Sequence, residues 1–105
     1  MSDAIRAFFD GLAARIDPAR VVGIDTVFAF DIAGAGAWTV HLAGATPRVE
    51  QGLGADASCT IVAKAAHFEE IIDGRRNPMT AFITGKLKVR GDMAAATQLK
   101  EIFGR

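Results

Sequence analysis

The sequence predicts an α+β fold, helices packed on one mixed sheet in the order α-ββββ-αα-β-α. Three observations predict it. Apolar residues recur at helical spacing through the first stretch of the chain. Four short runs then alternate apolar and polar residues between glycine-rich turns. Past His67, helix start and stop signals dominate, interrupted by one more alternating run. The 105 residues are 50% hydrophobic and 23% charged, which suits one globular domain over residues 1–105. No repeat, linker or low-complexity run divides it.

The elements follow in order. Ser2 or Asp3 can cap a first helix, and Ile5, Phe8, Phe9, Leu12 and Ile16 share one of its faces. Asp17-Pro18 stops it, because the residue before proline avoids the helical region. A strand from about Asp25 to Ile32 carries Phe28, Phe30 and Ile32 on its bulkier face. Gly34-Ala35-Gly36 is a tight turn into a second strand, about Ala37 to Ala43, with Trp38, Val40 and Leu42 opposite Thr39 and His41. Arg48 to Gln51 makes a short third strand. Ser58 to Ala63 makes a fourth, with Cys59, Ile61 and Ala63 on one face. The short links predict antiparallel hairpins among these four. His67 to Asp73 groups Phe68, Ile71 and Ile72 on a helix closed by Gly74. Asn77-Pro78 starts another helix, with Met79, Phe82 and Ile83 on one face and Gly85 at its end. Lys86 to Arg90 alternates as a half-buried strand. Gly91-Asp92 opens a last helix with Met93, Ala96, Leu99 and Phe103 inward.

Twelve basic and twelve acidic residues leave no net charge, which disfavours a nucleic-acid partner. No apolar run is long enough to span a membrane, and the start lacks a signal-peptide pattern, so no stable membrane insertion is expected. The lone Cys59 cannot form an internal disulfide and suits a reducing, cytoplasmic compartment. Nucleophilic catalysis needs a nucleophile, a base and an orienting acid in contact. Cys59 lies in mid-strand among apolar residues and reads as a small buried hydrophobe. His41 and His67 lack the spacing of metal ligands. Gly85-Lys86 is followed by Leu87, so it is no phosphate loop, and Arg90-Gly91-Asp92 is a strand-to-helix cap. No catalytic residue, metal or cofactor is expected. What stands out is seven Phe, one Trp and three Met with no Tyr, a set suited to irregular apolar surroundings.

The run from Phe82 through Gly85-Lys86-Leu87-Lys88-Val89 to Gly91-Asp92-Met93 resembles the signature of the sterol carrier protein 2 family. In that family a helix ends in Gly-Lys-Leu-Lys-Val or -Ile, and Gly-Asp or Gly-Asn opens the last helix. Phe28 to Ile32, Trp38 to Val40, Cys59 to Val62 and Phe68 to Gly74 are similar to its strands and middle helix. The resemblance runs from about Ile5 to Ile102. It implies a five-stranded sheet covered by helices, with an apolar tunnel between them. It also implies a non-enzymatic carrier of fatty acyl chains, acyl-CoA, sterols or related lipids. Carried over position by position, the ligand contacts would be Phe28, Phe30, Trp38 and Val40 on the sheet and Phe68 and Ile72 on the middle helix. Met79 and Phe82 would add the short helix, and Met93 the last one. Lys86 and Lys88 match the signature too, but the alternation points them outward to solvent. The chain does not end in the peroxisomal signal of some eukaryotic members, and its Ala- and Gly-rich composition suits a bacterial-type member. The alternative is an accessory module of the same family, a possible homodimer recruiting an apolar substrate such as a quinone precursor.

Energetics bound the expectation. At about 0.8 kcal/mol per buried methylene, a sixteen-carbon chain gains roughly 12 kcal/mol before ordering costs. An empty void of roughly 300 Å³ costs about 7 kcal/mol at about 24 cal/mol per Å³. That rivals the whole stability of a small domain, so such a pocket should be filled, flexible or partly collapsed.

Overall fold

The structure, a computed structural model, describes residues 3–16, 19, 23, 25–42, 47–54 and 57–92. Its elements are α1 (Asp3–Arg15), β1 (Val27–Ala33), β2 (Gly36–His41), β3 (Arg48–Gln51), β4 (Cys59–Lys64), α2 (Ala65–Ile72), α3 (Pro78–Ile83) and β5 (Leu87–Gly91). The expected last helix, with Met93, Ala96, Leu99 and Phe103, lies outside the described residues.

The strands form one sheet in the order β3-β2-β1-β4-β5. β1 and β2 are a hairpin around Gly34, whose φ of +89° suits glycine, and Phe28 faces Val40 while Phe30 faces Trp38. β3 adds antiparallel to β2, and β5 antiparallel to β4. The hairpin expectation fails at one place. β4 does not pair with β3; it crosses to the free edge of β1 and runs parallel to it, setting Phe28 beside Cys59 and Phe30 beside Ile61. The connection can do this because a threonine fastens it to the sheet. Thr39 Oγ1 donates to the Gly52 carbonyl at 2.6 Å and accepts from the Gly54 N–H at 2.7 Å. The Ser58 N–H then bonds the Val27 carbonyl at 2.8 Å, delivering β4 to its edge. Ala29 and Thr39 are buried on this outer face of the sheet, where alternation alone would leave them open.

The inner face carries the core. Phe28, Phe30 and Ile32, then Trp38 and Val40, then Cys59, Ile61 and Ala63, and finally Leu87 are buried in adjacent rows. α1 lays Ile5, Phe8, Phe9 and Leu12 on them, and α2 adds Phe68 and Ile71. At β5 the Gly91 Cα approaches β4 so closely that a Cβ would sit 2.6 Å from the Ser58 carbonyl oxygen, at a φ of +100°. α3 starts as its sequence dictates: Asn77 Oδ1 accepts from the Met79 N–H at 2.8 Å, with Pro78 at the first helical position.

Candidate ligand-binding site

The alternation of β1 and β2 and the helical spacing of α1 and α2 bring six aromatic rings into one layer. Phe9 is its centre. It stacks on Trp38 at 4.5 Å between ring centroids and on Phe68 at 5.7 Å, and meets Phe30 at 5.2 Å and Phe8 at 5.2 Å edge to face. Phe68 also meets Phe8 and Phe30, each at 5.9 Å, and Phe28 lies 6.5 Å from Phe30. Arg15 holds the outside of the layer, its guanidinium 4.6 Å over the Phe8 ring and bonded to the Phe8 carbonyl at 2.7 Å.

The residues expected to contact a ligand therefore divide into groups. Phe28, Phe30, Trp38, Val40 and Phe68 come together and are buried in the layer. Ile72 is half-buried against it. Met79 and Phe82 stand on α3 with their side chains exposed, 60% and 37%, and the neighbouring Ile83 reaches 75%. The buried residue of that helix is Ala81. Met93 lies outside the described residues. Sequence reasoning put Phe8 and Phe9 on the core face of α1 without including them at the site. The signal available was their place on the same helical face as Ile5 and Leu12.

Two clefts open on the described surface. One, of about 480 Å³, lies between α1 and the β2–β3 edge, lined by Arg6, Phe9, Asp10, Ala13, Trp38, Val49 and Gln51. Its wall is the margin of the aromatic layer, Phe9 and Trp38, under a polar rim of Arg6, Asp10 and Gln51. The other, of about 410 Å³, lies at the end of β4 and β5, where lysines surround a small apolar floor.

Among the described residues, Cys59 and His41 lie on opposite faces of the sheet. Cys59 is buried on the inner face of β4; burial pushes its thiol above the usual range, and the Asp92 carboxylate adds to the shift, so it stays protonated and unreactive. His41 points to the other face of the sheet, where its Nε2 lies 2.8 Å from the Glu50 carboxylate. Among the described residues no His, Cys, Asp and Glu cluster could hold a metal ion. None of the described helices is long and apolar enough to cross a membrane.

Comparison with known proteins accords with this layout. "Non-specific lipid-transfer protein-like 1" of Caenorhabditis elegans is 32% identical over 101 residues, covering 90% of this chain and 86% of that one. "Hydroxysteroid dehydrogenase-like protein 2" of Danio rerio is 29% identical over 104 residues, but this chain spans only 25% of its length. The solution structure of palmitated SCP2L2 from Aedes aegypti superposes with a TM-score of 0.75 at 24% identity, over 96% of this chain and 95% of that one. Its likeness is one of fold. A family model, that of the SCP-2 sterol transfer family, matches residues 8–104, and with it the five-stranded mixed sheet and the Gly-Lys-Leu-Lys-Val signature find their explanation: the chain belongs to the SCP-2 sterol transfer family.

Proposed function

We propose that the chain is a non-enzymatic lipid carrier that takes a long apolar ligand, a fatty acyl chain or a related lipid, against the aromatic layer between the sheet and the helices. The observation that carries this reading is the family match over residues 8–104. Two features of the molecule support it. The rings stack closely on one another across the inner face, and the cost of an empty void favours such packing over a preformed cavity. Three of the four large exposed apolar side chains among the described residues, Met79, Phe82 and Ile83, sit together on α3. They are the surface that a ligand passing from membrane to protein would meet first. A relative bearing the name of a lipid-transfer protein and a palmitated structure of the same fold point the same way.

In this reading a guest parts the rings along the inner face, with Phe28, Phe30, Trp38, Val40, Phe68 and Ile72 as its walls and α3 as the gate. Mass spectrometry of the organic extract from purified protein tests it. A stoichiometric fatty acid or phospholipid is expected. An extract without apolar ligand, together with no uptake of a fluorescent fatty acid, would remove the proposal. A tight dimer by light scattering in such a lipid-free protein would favour the accessory module, with the α3 face as its contact.

A further inference from the structure

Three lysines meet at the end of the sheet, and no acidic residue lies directly opposite any of them in the register. β4 and β5 pair Val62 with Lys88 and Ala63 with Leu87. One step further the same register sets Lys64 opposite Lys86, with Lys88 on the diagonal. Like charges directly opposite one another repel. Lys64 is also the N-cap of α2 and makes no side-chain capping bond, so a cation stands at the positive end of a helix whose first turn holds no acid. With His67 these lysines line the cleft of about 410 Å³, whose floor is Ala33, Val62, Ala63 and Gly85 and whose lining holds no carboxylate. The ion pairs of His41, Arg48, Arg75 and Arg76 involve none of the three. Asp31 opposes Val62 from β1 but is not in the lining.

We propose that this cleft is an anion-binding site for a phosphate-type group borne on a short apolar stem. A phosphate offers charge and several acceptor oxygens to the ammonium groups of Lys64, Lys86 and Lys88. The first turn of α2, which receives no side-chain cap, lies at the same end. Ala33, Val62 and Ala63 give the stem its contact. Lysines on an edge strand also discourage strand-to-strand association. That role accounts for Lys88 on β5 and Lys86 just before it, but not for Lys64 on the interior strand β4. The cleft lies at the end of β4 and β5 with none of the six rings of the aromatic layer in its lining, and the proposal does not depend on what that layer takes.

The test titrates the full chain with inorganic phosphate at constant ionic strength, following amide chemical shifts and thermal unfolding against matched sodium chloride. A parallel arm uses phosphatidylcholine vesicles with and without phosphatidic acid. Saturable shifts confined to residues 64–67 and 85–88 are expected. Lys64→Gln, Lys86→Gln and Lys88→Gln should each weaken binding by about tenfold, the loss of one charge-assisted contact. They should also raise the ligand-free melting temperature at low salt by relieving repulsion, whereas Arg48→Gln on distant β3 should not change binding. Saturation by inorganic phosphate assigns a free phosphate compound. Saturation only by phosphatidic acid vesicles assigns a lipid headgroup; either supports the site. Shifts reproduced by chloride, no saturation with either probe, or binding undiminished in Lys86→Gln would overturn it.

Discussion

Phe9 touches more of the molecule's chemistry than any charged group does. It stacks on Trp38 from β2 and on Phe68 from α2, and meets Phe30 from β1 edge to face. Through one side chain, α1 is joined to the sheet and to the second helix. Phe9→Ala should cost about 3–5 kcal/mol, read as a lower urea midpoint, because the two stacked partners face a void they cannot close. Phe9→Leu should restore much of that, since volume matters more here than any polar contact. This residue's role was partly legible: its spacing from Ile5 and Leu12 put it on a buried face. Its central position was not, because ring partners from three other elements leave no trace in local spacing. The same holds for Gly91, whose need for glycine comes from the Ser58 carbonyl on the neighbouring strand.

At the scale of elements, α3 is the outlier. Its ends were readable because single side chains make them: Asn77 caps the N-terminus and Pro78 opens the first turn. The fate of its apolar face was not, because periodicity says which residues share a face and nothing about what that face meets. The face turns outward, and only Ala81 is buried. Phe82→Ser combined with Ile83→Ser should therefore change stability by no more than about 0.5 kcal/mol per site. It should weaken uptake of a fluorescent fatty acid several-fold. A large loss of melting temperature with unchanged uptake would mean that the face serves the fold instead. The link before α3 is held by charge. Arg76 Nε donates to the Glu70 carboxylate at 2.8 Å, and Arg75 does the same for Asp73 at 2.8 Å. The Arg76 hydrogen bond holds the Glu70 carboxyl below its usual range. A lowered carboxylate pKa adds stability that is complete above the ordinary Glu range and disappears as pH falls through the lowered value. Glu70→Gln should flatten the acid limb of the melting temperature against pH while leaving the neutral-pH fold intact, as measured by circular dichroism.

For the whole molecule, what decides the architecture is where β4 goes. The number of strands, their succession along the chain and their facing were legible from alternation, since Phe28, Trp38, Cys59 and Leu87 all lie on the faces they were expected to fill. The parallel seam was not. A short link suggests a hairpin, and nothing in the sequence before β4 announces that it joins the far edge of β1. Ala29 and Thr39 are buried on the outer face that the connection passes. Thr39→Val should cost about 1–3 kcal/mol, because it strips partners from the Gly52 carbonyl and the Gly54 N–H in one step. Faster amide exchange at Gly54 would report the loss directly.

The parallel seam also sets a clock. The β1–β2 hairpin closes across a two-residue turn, whereas Phe28 and Cys59 must find one another from 31 positions apart in the chain. Such distant pairing is entropically late, so two locally wound pieces form early, the three-strand meander and the β4-α2-α3-β5 unit. Until they dock, the bare flank of β1 is the molecule's most aggregation-prone surface, and its rate of renaturation is the rate at which that flank is covered.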